Sequence, residues 1–438
     1  MKISLDQFTA RRAQLLEKMP SGSIAIIPAA TMKQRNSDVE YAFRQDSSFY
    51  YLTGFNEPDA VLLLMPGRLA GESVMFCRNR DKLMEIWNGY RAGPEGVVDR
   101  YGIDEAHPIE EIDDLLPALL NGMSRIYYAI GKNDEFDRQI QHWLGAIRAQ
   151  ARQGAVAPSE LVVLDQLLNE MRLIKSDAEQ DMMRAAGDIS AQGHVKAMQC
   201  CKPGMMEYQL EAEILHHFAM NGCRQPAYST IVGGGANACV LHYIENDQAL
   251  QDGDLVLIDA GCELDHYAGD ITRTFPVNGC FNPEQKAIYQ LVLKAQKACI
   301  ALAKPGVLWD DVHQESIKVL TQGLIDLGLL KGSLDEQIDA GGYRDFYMHR
   351  IGHWLGMDVH DVGDYKVDGE WRPLQPGMVM TVEPGIYIAI DNHSVDECWR
   401  GIGVRIEDDV LITDDGCEIL TASVPKEVDE IEALMAAV

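Results

Sequence analysis

Leu255-Val256-Leu257-Ile258 runs straight into Asp259-Ala260-Gly261, and Asp270-Ile271-Thr272-Arg273-Thr274 follows shortly after. A continuous aliphatic run of this length marks a strand, and the acid and glycine mark where it ends. A return strand beginning at Asp270 carries Thr272 and Thr274 on the same face as that acid. Asp259 and Asp270 then face one another across a hairpin, where a core should select apolar side chains.

Two more acids sit in the same way. Glu383 ends the run Met378-Val379-Met380-Thr381-Val382 and precedes Pro384-Gly385, and Glu407 closes Val404-Arg405-Ile406-Glu407 before Asp408-Asp409. Taken singly, each is an ordinary turn or surface acid. Gathering several carboxylates in one interior is very unfavourable unless cations neutralise them or they take up protons. Four strand-end acids in one half of the chain therefore point to bound cations. Arg405, two residues before Glu407 and so on the same strand face, is placed to orient that carboxylate.

His349, His353 and His360 fall within one short run, His349-Arg350-Ile351-Gly352-His353-Trp354-Leu355-Gly356-Met357-Asp358-Val359-His360. His349 and His353 have the spacing of a zinc-binding H-E-x-x-H pair, but Arg350 stands where the general-base glutamate is required. Gly352 and Gly356 also weaken a continuous helix. One histidine as ligand with the others as outer donors fits better. His242 lies in the apolar run Cys239–Tyr243, which reads as strand-like, and Gly233-Gly234-Gly235 reads as a turn because no G-K-[ST] follows.

Before about residue 172 the patterns alternate: an amphipathic opening from Leu5 to Met19, apolar runs at Ser23–Pro28, Phe49–Thr53 and Ala60–Pro66, a strand-like run at Arg125–Ile130 and a helix near Asp134–Ala151. Ala151–Glu160 reads as a linker. Ser176 and Glu179 form a capping box at the start of the next helix. Two long helices, strands, two more helices (Pro283–Ala303 and Leu308–Leu327) and a strand-rich final third follow. Helices grouped apart from strands indicate an α+β class, with a mixed α/β domain over residues 1–172 and a second domain over residues 173–438. No internal repeat is evident by eye, which leaves open two structurally similar halves hidden by divergence.

The chain has 438 residues and is 47% hydrophobic, which suits two globular domains or one large domain with an extension. Its formal charge of −29 opposes binding to nucleic acid or to anionic membranes. No stretch is apolar enough to cross a bilayer, and the opening residues do not read as a secretory signal. Ten cysteines without a C-x-x-C pair fit reduced thiols, and the expected compartment is the cytoplasm.

On these residues, together with Asn36-Ser37-Asp38, Tyr50-Tyr51-Leu52-Thr53-Gly54 and the segment around Trp87 and Arg91, the chain resembles aminopeptidase P, of the pita-bread group that includes proline dipeptidases, methionine aminopeptidases and creatinase. The resemblance runs over nearly the whole length. It implies a C-terminal pita-bread metallopeptidase domain and a smaller N-terminal domain serving substrate access and oligomer contacts. It implies five metal ligands, Asp259, Asp270, His353, Glu383 and Glu407, and outer histidines at His242, His349 and His360. Arg350 departs from the family, which carries a small residue there, usually glycine.

The implied reaction removes the first residue of peptides with proline second. A water bridging two divalent cations attacks the carbonyl before proline, and Glu383 carries the proton to the leaving nitrogen. His349 and His360 would bond the oxyanion or substrate backbone, and His242 the carbonyl on the proline side. A site of four carboxylates and one imidazole suits Mn(II). The expected assembly is a homo-oligomer, a dimer or tetramer. Proline dipeptidase is the rival reading, and a non-catalytic peptide-binding module on the same fold ranks below both because all five ligands are present.

Overall fold

The computed structural model describes residues 2–437, which divide into two compact units, Lys2–Asn169 and the remainder from Glu170. The division falls inside the helix Asp165–Leu173, slightly before the boundary read from the sequence. Ala151–Glu160 is not an inter-unit linker: Glu160 opens the strand Glu160–Val163, which joins the N-terminal sheet.

That sheet has six strands in the order Glu105–Pro108, Ser73–Cys77, Val61–Leu64, Ser23–Pro28, Arg125–Tyr128 and Glu160–Val163. Ser23–Pro28 pairs antiparallel with Val61–Leu64 and parallel with Arg125–Tyr128. Helix Asp134–Ala149 buries Phe136, Ile140, Trp143 and Ile147, the three-to-four spacing of a single helix face, against Ile24, Ile26 and Leu63. The apolar run Phe49–Thr53 belongs to a helix, Ser47–Thr53. Asp46 caps its start by accepting from the Phe49 N–H at 2.8 Å, and Gly54, left-handed at φ 64°, ends it.

In the C-terminal unit one order of elements occurs twice. Helices Asp177–Cys200 and Glu207–Met220 precede the antiparallel strands Ile231–Gly234, Leu255–Asp259 and Thr272–Pro276; helices Pro283–Leu302 and Trp309–Asp326 precede Val379–Val382, Asp408–Ile412 and Cys417–Ile419. A short pair, Gly385–Tyr387 with Gly403–Arg405, completes the second half. Glu179 reaches back to the Ser176 N–H at 3.0 Å, as the capping signal requires. The segment Gly233-Gly234 is strand, paired with Val256 and Leu257, and not a turn. His242 is also not in a strand: a short helical turn, Gly235–Cys239, carries the chain into an exposed loop. Among the described residues no helix is long and apolar enough to cross a membrane. All ten cysteines are free thiols.

Candidate metal centre

Backbone pairing brings the separated acids together. Leu255–Asp259 lies between Ile231–Gly234 and Thr272–Pro276, with Asp259 opposite Thr272. Between them a tight hairpin, Glu263–Leu264 against Tyr267–Ala268, turns on Asp265 and His266, both at positive φ. Its base closes on Gly261, where a Cβ would lie 1.7 Å from the Gly269 carbonyl oxygen. Only glycine allows this approach, and it fixes the separation of Asp259 and Asp270. Glu407 arrives alongside through its N–H to the Thr272 carbonyl, 3.1 Å.

The histidine run is irregular chain that lies along Val379–Val382 and bridges to it at Trp354 and Met380. The Thr381 N–H donates to the His353 carbonyl (2.9 Å) and the Glu383 N–H to the Ile351 carbonyl (2.8 Å). Gly352 permits the contact, since a Cβ there would sit 2.0 Å from the Thr381 oxygen. His353 and Glu383 are thereby neighbours across a ladder, 3.6 Å from Nε2 to Oε1.

Asp270, His353 and Glu407 offer ligand atoms that all lie within 4.8 Å of one another. His353 Nε2 is 3.4 Å from Asp270 Oδ2. The Tyr228 hydroxyl links Asp259 Oδ1 at 2.5 Å with Asp270 Oδ1 at 2.6 Å. A phenol has one proton and cannot donate to two ionised carboxylates at once, so a further proton or cation is needed between them. Burial, with the neighbouring acids, pushes Glu407 well above the usual carboxylate range and raises Asp259 despite Arg405. Burial likewise lifts Glu383 to about 7 against the pull of His353 and Arg405. Burial draws His353 down, but its bond to Asp270 and the charge on Glu383 outweigh it and hold the ring at about 9. One imidazolium and one guanidinium do not balance four carboxylates. The donor set fits divalent cations, and its oxygen-rich character fits hard ones.

Arg405 does not bond Glu407 directly. Its Nη2 donates to Asp259 Oδ2 (2.7 Å) and its Nε to the Thr272 hydroxyl (2.9 Å), which donates to Glu407 Oε2 at 2.6 Å. The guanidinium thus orients both acids, one through a threonine, because the strand ends at Arg405 and turns before Glu407. Arg405 Nη1 also donates to the Tyr387 hydroxyl (3.1 Å), which lies 2.8 Å from His349 Nε2. His349 Nδ1 meets the Arg350 carbonyl at 2.7 Å. Both ring nitrogens of His349 are engaged within the protein, and burial holds the ring neutral, down at about 3. His360 is exposed, its ring 4.3 Å from that of His353. His242 is exposed on its loop. Both line the same cleft of about 600 Å³ as the five expected ligands, Arg405 and His349.

Tyr228, Tyr387, Thr381 and Asp409 were not singled out from the sequence. Asp409 had a signal: it lies two residues after Glu407 and so on the same face, and its Oδ2 accepts the Asp270 N–H at 3.0 Å. The intervening Asp408 points to the other side, against Arg273 at 2.7 Å and Gln296 at 2.6 Å.

Residues 181–414 match Metallopeptidase family M24, and residues 8–127 match the N-terminal domain of aminopeptidase P. The chain is 49% identical to the Xaa-Pro aminopeptidase of Haemophilus influenzae over 99% of this chain and 98% of that one. A solved aminopeptidase of Pseudomonas aeruginosa superposes with a TM-score of 0.99 at 57% identity, covering 100% of this chain and 99% of that one. The zinc-substituted aminopeptidase P of Escherichia coli in complex with product superposes at 0.97, with 49% identity over 100% and 99% of the two chains.

Proposed function

We propose, from the premise that the chain belongs to metallopeptidase family M24, that its C-terminal cleft holds two divalent cations between Asp259, Asp270, His353, Glu383 and Glu407. The chain is an Xaa-Pro aminopeptidase, which hydrolyses the bond between an N-terminal residue and a following proline, and its C-terminal unit is a pita-bread metallopeptidase domain. The observation that carries the metal reading is the convergence of Asp270, His353 and Glu407 within 4.8 Å.

When bound, such cations supply an acidified water and polarise the scissile carbonyl. Asp259, Asp270, His353, Glu383 and Glu407 would hold these cations, with Asp270, His353 and Glu407 at the centre of the set. Glu383 takes the proton of the attacking water and delivers it to the proline nitrogen; the Thr381 hydroxyl, 3.3 Å from its Oε1, steadies it. His360 is the open histidine donor for the substrate. With both nitrogens engaged, His349 acts by aligning Tyr387 and Arg405. His242 meets the substrate on the proline side. Proline offers no N–H and a fixed ring, and Ile231, Leu241, Ile244 and Val359 in the lining provide apolar surface for it.

Mn(II) is the proposed ion because oxygen donors outnumber nitrogen four to one in this set. Free thiols throughout accord with a cytoplasmic enzyme. A homo-oligomer is proposed from the N-terminal unit, to which we assign oligomer contacts and substrate access. Around helix Lys82–Asn88, Leu83, Ile86, Trp87 and Tyr90 are 73%, 78%, 83% and 91% exposed, an apolar patch suited to cover by another copy.

The test is an assay of chelator-treated protein reloaded with Mn(II), on Ala-Pro and Ala-Pro-Ala. Release of alanine from the tripeptide, dependent on metal, is expected. Cleavage of the dipeptide alone would move the assignment to proline dipeptidase, and cleavage of neither would contradict it.

A further inference from the structure

Two arginines line the cleft, Arg405 and Arg350. The Arg405 side chain is 4% exposed and committed to Asp259, Thr272 and Tyr387. Arg350 differs in every respect. Its side chain is 56% exposed, and its guanidinium lies across two aromatic faces, 5.2 Å from the Trp371 centroid and 5.9 Å from that of Trp309. These two indoles are themselves stacked at 5.7 Å. Asp310 Oδ1 accepts from Nη1 at 3.1 Å. A guanidinium carries five N–H donors, so this one contact leaves most of them directed elsewhere. Trp309, Trp371 and Asp310 are not part of the cleft lining, which puts the charged end of Arg350 at the rim. Lys366 adds a second positive charge at the same place, its Nζ 4.4 Å from the Trp371 centroid.

We propose that Arg350 is a specificity-determining residue that binds a substrate carboxylate downstream of the proline. The inference rests on the aminopeptidase reading. An enzyme that removes the first residue holds the amino end and the scissile bond at the cations, so the rest of the peptide leaves by the mouth. A group at the rim therefore meets the third residue or those after it. A guanidinium braced on indole faces is pre-organised for a planar, two-oxygen acceptor and loses little freedom on binding one. On a chain of net charge −29 it is also a local attraction for an anionic peptide that the protein as a whole repels. The carboxylate is either the free C-terminus of a short peptide or an acidic side chain after the proline.

The manganese-loaded full-length enzyme and its Arg350→Gln variant are to be compared on Ala-Pro-Ala, its C-terminal amide, Ala-Pro-Asp amide and Ala-Pro-Asn amide. The wild type is expected to prefer the acid member of at least one pair by about tenfold in kcat/KM, chiefly through KM and less at high salt. Preference within the first pair identifies the terminal carboxylate, and within the second the side chain. In Arg350→Gln the acid-to-amide ratio is expected to fall to about one. A ratio kept by the variant, or no preference in the wild type for either pair, overturns the proposal. Failure to release alanine from any of the four peptides overturns the aminopeptidase reading itself, and this inference with it.

Discussion

Stripping the cations with a chelator and returning Mn(II) in a calorimeter should release protons, in a number fixed by the site. In the cation-free chain Glu383 titrates at about 7 and His353 at about 9, while a metal ligand must be deprotonated. At pH 6 both still carry their protons, so loading should expel at least about two; at pH 8 Glu383 has already ionised and about one fewer should appear. Each displaced proton strengthens apparent affinity by about 1.4 kcal/mol per pH unit, so binding should tighten by about 4 kcal/mol between those conditions. The sign for stability follows. Both groups are raised above their unfolded values, 4.5 and 6.5, so each favours the cation-free fold fully below those values. That contribution is lost as pH climbs through about 7 and about 9, so stabilisation by metal should grow on the alkaline side. His194 and His313, held to about 4 chiefly by burial, act in the opposite sense below 6.5. Titration in two buffers of different ionisation enthalpy gives the proton count. A count near zero at pH 6 would refute the reasoning.

Further outcomes follow from single contacts. Glu383→Gln should abolish alanine release, with kcat down at least about a hundredfold, while the circular dichroism spectrum and melting temperature stay close to wild type; normal turnover would remove its proton-carrying role. Gly261→Ala forces a methyl to within 1.7 Å of a backbone oxygen, and denaturant titration should show a loss of at least about 3 kcal/mol together with loss of metal. Arg405→Met leaves Asp259 without its buried partner, and the cation-free protein should lose about 3–5 kcal/mol by the same measurement; unchanged stability would show that Arg405 does not support the site.

The acids were legible because they break a pattern. Asp259 and Glu383 terminate aliphatic strands, where burial dictates the neighbours and an acid stands out. What was hidden lies in contacts between segments remote in sequence. Tyr228 touches Asp259 and Asp270 from a segment with no period of its own, and Tyr387 joins His349 to Arg405 of the strand paired with its own. His242 misled because Cys239, Val240, Leu241 and Tyr243 look like a strand; Val240 is 53% exposed, and Leu241 lines the cleft. Gly233-Gly234 misled in the other direction. Those glycines serve a strand because Cβ atoms there would meet Asn237 and Leu250 at 2.9 Å and 2.6 Å. The segment Ala151–Glu160 looked like a linker from its composition, and only strand pairing to Arg125–Tyr128 assigns its end to the first unit.

Asp270 offers one oxygen to Tyr228 and the other to His353, and so lies at the middle of the set. Elemental analysis of protein loaded with Mn(II) and then desalted, run beside Asp270→Ala, addresses the dinuclear site most directly. About two manganese ions per chain are expected in the wild type and no more than about one in the variant. A wild type that retains none, or a variant that keeps both, would contradict the account.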